Sequence, residues 1–256
     1  MCIETHEIAN GVIAFIHPEG RSSCGMIRTT EGVILVDTTA RPVDIQACLD
    51  LAEVATDDIC LVLITHSHSD HTSGIRFFDC PILAHKLACQ RIKKRGTERA
   101  KTRMPTDCFE DRRDLKVGGM KLEMIHLGGH TPCSSVVWLP DEKILFAGDL
   151  IFQGRYPFLA TANIDKLMEA LRFLPSLGAQ VIVPGHGLLC GNEEVLKQLN
   201  YIETTWERTA EHMKKGHGLE EILLDQDYPR YSERGYEKLH PWNIKVTYQQ
   251  LKKRTR

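Results

Sequence analysis

The stretch that decides the fold is Thr65-His66-Ser67-His68-Ser69-Asp70-His71-Thr72-Ser73-Gly74, which holds three imidazoles and a carboxylate within six consecutive positions. It follows directly on Ile59-Cys60-Leu61-Val62-Leu63-Ile64, an apolar run typical of a strand buried on both faces. Open α/β sheets bind their ligands at the carboxyl ends of such strands. We therefore expect the polar stretch to form a binding site at a sheet edge.

Three later segments share this description, because each places a His or an Asp beside glycines just past an apolar run. They are Leu127-Gly128-Gly129-His130-Thr131-Pro132, Phe146-Ala147-Gly148-Asp149 and Pro184-Gly185-His186-Gly187. Glycines let the backbone approach other groups closely. We predict that the polar side chains of all four segments converge at one edge and bind metal: His66, His68, Asp70, His71, His130, Asp149 and His186.

The chemistry of these side chains restricts the metal. Imidazole and carboxylate ligands without a required thiolate suit zinc, iron, manganese or cobalt, and disfavour Cu(I) and iron–sulfur clusters. One tetrahedral ion could not accept all four groups between His66 and His71 without severe chain strain, so the spacing favours two ions. We predict two divalent metal ions as cofactors, with zinc preferred and iron or manganese also suitable.

These four segments resemble the signature of the metallo-β-lactamase superfamily, and the resemblance spans roughly residues 10 to 190. It implies an α/β fold, the four-layer αβ/βα sandwich, with a dinuclear site at the sheet edges. It implies a first metal on His66, His68 and His130, a second metal on Asp70, His71 and His186, a bridging Asp149, and an Asp37 that supports the ligand histidines. The chain departs from the family at Cys133, where Gly is common; we expect a buried thiol that fills the glycine pocket, in preference to a reactive one.

The rest of the chain is consistent with this class of fold. Short apolar runs at 12–16, 25–28 and 33–36 predict neighbouring strands. Residues 22–37 and 133–149 share one sequence pattern, an apolar run, a turn, a second apolar run and an Asp, which suggests two similar hairpins. Asn163 is a suitable N-cap for an amphipathic helix over 163–174. We predict a catalytic domain over residues 1–192 and a C-terminal helical extension, residues 193–256, packed on the same domain.

Composition and charge give weaker information. A net charge of −2 provides no field for nucleic acid or anionic lipid, and no window approaches the ~20 apolar residues that span a bilayer. Together with an N-terminus that lacks a signal peptide pattern, this predicts a cytoplasmic protein with no membrane partner. The nine cysteines are scattered without a Cys-x-x-Cys pair, so we expect small core side chains and no disulfide framework.

Two cations about 3.5 to 4 Å apart can share a water and lower its pKa towards neutrality, which produces a bridging hydroxide. We therefore predict a metal-dependent hydrolase that cleaves a small ester, thioester, lactone, lactam or phosphoester, with Asp70 as the catalytic carboxylate that orients the hydroxide and passes its proton. The retained Asp149 argues against a dedicated β-lactamase, since that branch of the family typically lacks it. The alternative is a mononuclear non-haem iron oxygenase similar to the persulfide dioxygenases.

Other features leave alternatives open. The run 91–103 has seven basic residues against one acid, which suits phosphate or RNA binding but is more often a solvated helix and loop. We therefore expect a small-molecule substrate and no nucleic acid, and the sequence leaves a homodimer open. Tyr156 could stabilise an oxyanion, although packing is the more common role of such a residue. His217 and His240 could reach the site from the tail.

Overall fold

The computed structural model describes residues 3–17, 20–98, 104–231 and 237–254, without the side chains of 96–98. Two β-sheets pack face to face, and helices cover the outer face of each. The predicted four-layer α/β sandwich is therefore confirmed.

The first sheet is built from the first half of the chain. Its seven strands lie in chain order: β1 (Glu4–Ala9), β2 (Val12–Ile16), β3 (Cys24–Thr29), β4 (Gly32–Val36), β5 (Ile59–Ile64), β6 (Ile82–His85) and β7 (Asp107–Phe109). The pairs from β1 to β4 are antiparallel, whereas those from β4 to β7 are parallel. Parallel strands need helical crossovers, and these put helices on the outer face of the sheet.

The second sheet has five strands: β8 (Arg112–Val117), β9 (Met120–His126), β10 (Ser135–Leu139), β11 (Ile144–Phe152) and β12 (Val181–His186). Their spatial order is β12-β11-β10-β9-β8, and only β11 and β12 run parallel. The predicted hairpins are thus β3–β4 and β10–β11, and they pack against each other. A Cβ on Gly25 would lie 2.1 Å from the ring of Phe146, so the sheets can approach this closely only because residue 25 is glycine.

Seven helices complete the described part of the fold: α1 (Pro42–Leu51), α2 (Ser69–Thr72), α3 (Lys86–Glu98), α4 (Ile164–Phe173), α5 (Asn192–Lys214), α6 (Leu219–Leu224) and α7 (Leu239–Arg254). Asn163 caps α4 as predicted, because its side chain accepts the N–H of Lys166 at 3.1 Å. Helix α1 ends at Leu51, two residues before Glu53, which has a φ of 52°. A left-handed residue after the last turn stops an α-helix.

The C-terminal helices pack on the second sheet. Val195 and Ile202 on α5 and Val246 on α7 share an apolar cluster with Leu150 of β11. Within the described ranges, no helix combines the length and the apolar character that a bilayer span requires.

The cysteines depart in part from the expectation. Cys24, Cys48 and Cys133 are buried, as predicted for small core side chains. Cys89 on α3 and Cys108 on β7, however, form a disulfide, which the prediction missed. Nothing in a spacing of 19 residues marks such a pair, because only the packing of α3 on β7 brings the two together.

Candidate metal centre

The ligand segment begins where β5 ends, at the edge between the two sheets. His66 and His71 are 1% and 0% exposed, whereas the side chain of Asp70, on α2, is 35% exposed. His68, the residue before α2, is half-buried. The segment therefore presents two buried imidazoles to the interior and two groups towards solvent.

Three other elements deliver the remaining ligands to the same edge. His130 comes from the loop after β9, Asp149 from within β11, and His186 from the last position of β12. All three are at most 8% exposed. In the parallel pairing of β11 with β12, His186 lies opposite Phe152, and an irregularity of the register between residues 148 and 152 brings Asp149 close to His186 as well.

The seven side chains form two groups that share Asp149. One group is His66, His68, His130 and Asp149; the other is Asp70, His71, His186 and Asp149, and within each group the ligand atoms lie within 4.8 Å of one another. Asp149 divides its oxygens between the groups. Oδ2 is 3.6 Å and 3.3 Å from the Nε2 atoms of His66 and His130, whereas Oδ1 is 3.0 Å and 3.4 Å from those of His71 and His186.

These separations fit coordination of a common ion. With metal–ligand bonds of 2.0–2.1 Å, ligand atoms at the corners of a tetrahedron lie roughly 3.3–3.4 Å apart. Nδ1 of His68 is 3.1 Å from Nε2 of His130, and Nε2 of His186 is 3.3 Å from Oδ2 of Asp70. Both groups thus have the dimensions of a four-coordinate site.

Unsatisfied polar atoms give an independent test of the fit. Nε2 of His66, Nε2 of His71 and Oδ1 of Asp149 are buried, and none has a hydrogen bond of acceptable geometry. Buried polar groups without partners are rare and costly. These atoms belong to the two groups, where a cation would satisfy them, so the residues present fit a metal centre.

Outer contacts fix which nitrogen of each imidazole is available. The Nδ1–H groups of His130 and His186 donate to the carbonyls of Phe158 and Gly20, at 3.2 Å and 2.9 Å. A carbonyl only accepts, so these rings carry a proton on Nδ1, which leaves Nε2 as the nitrogen that would bind a metal. Phe152 stacks on His186, with ring centroids 5.3 Å apart.

Asp37 supports one ligand in each group. Its Oδ2 lies 2.8 Å from Nδ1 of His71 and accepts the hydroxyl of Thr65 at 2.7 Å. Since that hydroxyl proton is used, the Thr65 oxygen accepts Nδ1–H of His66 at 3.1 Å. Asp37 has a φ of 58°, and its Oδ1 accepts the Thr65 N–H at 2.8 Å. The supporting role that the resemblance implies for Asp37 is thus consistent with its contacts.

The charges of the site separate the histidines into two classes. Burial lowers the pKa values of His66 and His68, and lowers the pKa of His130 to about 4. Burial also disfavours charge on His71 and His186, but the charge of Asp149 outweighs it and raises the pKa of His186 to about 9 and that of His71 well above its ordinary value.

Proton competition should therefore differ between the two groups. Without metal at pH 7, His71 and His186 carry protons that an ion must displace, whereas the three other histidines are already neutral. We expect the affinity of the second group to rise with pH, about tenfold per unit for each displaced proton, and to rise less steeply once pH passes about 9, where His186 no longer competes. Calorimetric titrations with zinc between pH 6 and 9.5 measure this; an affinity independent of pH would contradict it.

Other residues considered from sequence lie away from these groups. Tyr156 is buried and packs on Tyr201 and His240, as the packing alternative predicts. His240 forms a hydrogen bond with the hydroxyl of Tyr201, and His217 forms one with His212 in the C-terminal region. None of these rings contacts a candidate ligand.

Near the ligand segment, Cys133 is fully buried, with Sγ 3.4 Å from the hydroxyl of Ser67. The basic run starts on α3, and its residues 99–103 lie outside the described ranges. Arg95 of that run donates to the Ser67 carbonyl, between two ligand histidines, and to the hydroxyl of Thr72 at 3.2 Å. This contact was missed, because a basic helix contains no signal for one inward-facing arginine.

Comparison with known proteins places these motifs in context. A model described as the metallo-beta-lactamase superfamily matches residues 17–186. A beta-lactamase-like protein 2 homolog of Caenorhabditis elegans is 32% identical over 221 residues, which cover 83% of this chain and 70% of that protein. Metallo-beta-lactamase type 2 of Bacillus cereus is 29% identical over 186 residues, covering 68% of this chain and 71% of the relative.

Further similar proteins are two sulfatases, which are longer than this chain, and a solved metallo-beta-lactamase. A linear primary-alkylsulfatase of a Pseudomonas strain is 25% identical over 257 residues, and the match covers 77% of this chain but 48% of the relative. The solved metallo-beta-lactamase of Pontibacter korlensis superimposes with a TM-score of 0.68 at 23% identity, covering 79% of this chain and 99% of that one. A double mutant of the sec-alkyl sulfatase PisA1 gives a TM-score of 0.79 at 18% identity over 97% of this chain and 50% of that one.

Proposed function

Because this chain belongs to the metallo-β-lactamase superfamily, we propose that it is a dinuclear metal-dependent hydrolase. The observation that carries the proposal is the position of Asp149, whose two oxygens face two separate groups of ligands. A carboxylate shared in this way suits a pair of ions better than a single one. His66, His68 and His130 would hold one ion, and Asp70, His71 and His186 the other.

Two zinc ions bound there would supply Lewis acidity and bring the pKa of water from 15.7 to near neutrality. The protein's own contribution is positioning. Asp37, Thr65 and the carbonyls of Gly20 and Phe158 hold four imidazoles in the required tautomer and orientation. We propose a small ester, thioester, lactone, lactam or phosphoester as the substrate.

Asp70 is the carboxylate that we assign to proton transfer. Its side chain is 35% exposed and that of Asp149 only 4%, so Asp70 is the one that reaches solvent and substrate. Burial opposes its ionisation, but a hydrogen bond from His186 and the charge of His71 outweigh it and lower the pKa of Asp70 to about 2. Asp70 is therefore anionic at neutral pH and can accept a hydrogen bond from the attacking water, which it orients.

A mononuclear iron oxygenase is not favoured. Such an enzyme holds one iron with two histidines and a carboxylate. Here one ion held by the His66, His68 and His130 group would leave two buried atoms, Nε2 of His71 and Oδ1 of Asp149, without a partner, which is costly.

Metal content and substrate use test the proposal together. We expect two zinc-like ions per chain by elemental analysis, and chelator-sensitive hydrolysis of at least one member of a panel. The panel contains chromogenic thioesters, lactones, phosphoesters and cephalosporins, and also an alkyl sulfate because of the relatives above. One iron per chain with oxygen consumption would overturn the proposal.

Replacing Asp70 with Ala is expected to remove metal and activity together, since the second ion loses its one unshared carboxylate. Elemental analysis and turnover of the best panel substrate measure both. Asp114→Ala is the matched control, because its side chain is 75% exposed on β8. Full metal occupancy with normal turnover in the Asp70 variant would refute the role assigned to this residue.

A further inference from the structure

The segment of residues 150–158, which is the end of β11 and the loop that follows it, touches one ligand in each metal group. At its start, the ring of Phe152 stacks on His186 at an interplanar angle of 5°. At its end, the carbonyl of Phe158 accepts Nδ1–H of His130 at 3.2 Å. The position of this segment, residues 150–158, therefore controls the orientation of both imidazoles.

A buried amide on α5 holds the start of the segment. Gln198 is 0% exposed, and its Oε1 accepts the N–H of Phe152 at 2.8 Å while its Nε2 donates to the carbonyl of Leu150 at 2.7 Å. Two opposite hydrogen bonds from one side chain fix both the position and the tilt of the backbone. Gln198 thus sets the place of the ring that stacks on His186 and that also lies tilted beside His130, with ring centroids 5.7 Å apart and 58° between the planes.

A second buried amide, on α7, holds the end of the segment. Asn243 is also 0% exposed, and its Nδ2 donates to the carbonyl of Pro157 at 2.9 Å, one residue before the carbonyl that orients His130. The hydroxyl of Tyr201 lies 3.3 Å from the same amide nitrogen. An apolar side chain could fill this buried position, but only a hydrogen-bond donor can fix the Pro157 carbonyl.

We propose that Gln198 and Asn243 are positioning residues for the metal centre, Gln198 chiefly for the second group and Asn243 for the first. Gln198 acts through Phe152 on His186, and hence on the second ion; Asn243 acts through Pro157 and Phe158 on His130, and hence on the first. The inference rests on the two-ion centre of the proposed function. Metal affinity would then depend on the C-terminal helices α5 and α7, which carry these two residues.

Single-ion backgrounds of the full-length protein separate the two effects. His186→Ala retains only the first group intact, and His130→Ala retains only the second. Zinc affinity is measured in each background by competition with a chelating dye, with and without Asn243→Leu or Gln198→Leu. Thr247→Val is the control, because Thr247 is equally buried on α7 but bonds within its own helix, to the Asn243 carbonyl.

The two variants should differ in which background they affect more. We expect Asn243→Leu to weaken zinc about tenfold in the His186→Ala protein and less than about twofold in the His130→Ala protein. Gln198→Leu should weaken zinc more in the His130→Ala protein than in the His186→Ala protein, because Phe152 stacks on His186 but only tilts against His130. Tenfold is the lower end of the roughly 10–100-fold losses seen for outer contacts of metal ligands. Thr247→Val should change neither affinity.

Equal losses in both backgrounds would indicate general loosening and overturn the inference, as would no loss in either. Circular dichroism and thermal unfolding without metal verify that each variant folds. If Asn243→Leu does not fold, Tyr201→Phe removes only the hydroxyl beside the amide, and it should weaken the first ion alone. A wild-type stoichiometry of one ion would contradict the proposed function itself, whereas two ions with unselective effects would contradict only this inference.

Discussion

Asp149→Asn is expected to bind fewer than two ions per chain and to lose hydrolytic activity by several orders of magnitude. Asp149 faces both groups, and an amide supplies only one good metal ligand atom and no charge. The scale of the effect follows from the chemistry lost, since the ions lower the pKa of water by roughly eight to nine units. The substitution also removes the charge that raises the pKa values of His71 and His186.

The measurements are metal content, turnover and thermal unfolding without metal. Asp149 is ionised in the metal-free protein, because the charges of His186 and His71 overcome the effect of burial and hold its pKa well below the ordinary value. Its loss removes one counter-charge from two buried imidazoles, although His71 keeps Asp37 and His186 keeps Asp70. The metal-free variant should therefore also unfold at a lower temperature. Asp114→Asn, on the exposed face of β8, controls for charge alone. Two bound ions with normal turnover in Asp149→Asn would exclude the bridging role.

The ligand set could be proposed from sequence for a physical reason. Each ligand lies within a few residues of the carboxyl end of a buried strand. There the hydrophobic pattern of the strand, and the glycine and proline residues that follow it, make the strand end easiest to recognise in a sequence. Because the ends of β5 and β12 meet where the two sheets face each other, residues with local signals such as His71 and His186 become neighbours without knowledge of side-chain packing. The strands at 12–16, 25–28, 33–36 and 59–64 are confirmed for the same reason.

The supporting contacts could not be proposed, since they depend on packing between distant elements. Gln198 lies 46 residues from Phe152, and Asn243 lies 86 residues from Pro157. An amide on an amphipathic helix has no local feature that separates a solvent-facing role from a buried one. The same limit explains why Tyr156 was considered for the site, although its ring packs against Tyr201 in the core.

Gly185→Ala should damage the centre without touching a ligand. A Cβ at this position would lie 2.0 Å from Oδ1 of Asp149 and 2.7 Å from the backbone carbon of Gly148, distances that real Cβ atoms do not show. The backbone of residue 185 is not left-handed, so lack of space, and not conformation, is what requires glycine here. The added methyl must displace either β11 or the carboxylate that the two groups share.

We expect Gly185→Ala to destabilise the metal-free protein by about 3 kcal/mol, the upper end of the range for overpacking. At this chain length that lowers Tm by roughly 6–12 °C. The second ion should weaken more than the first, because the atom displaced is Oδ1, which faces His71 and His186. Gly218→Ala is the control, since its Cβ would lie 3.7 Å from its nearest neighbour. Unchanged Tm and two tightly bound ions in Gly185→Ala would show that this glycine does not confine Asp149. The placement of the two Asp149 oxygens in different ligand groups would then need another cause.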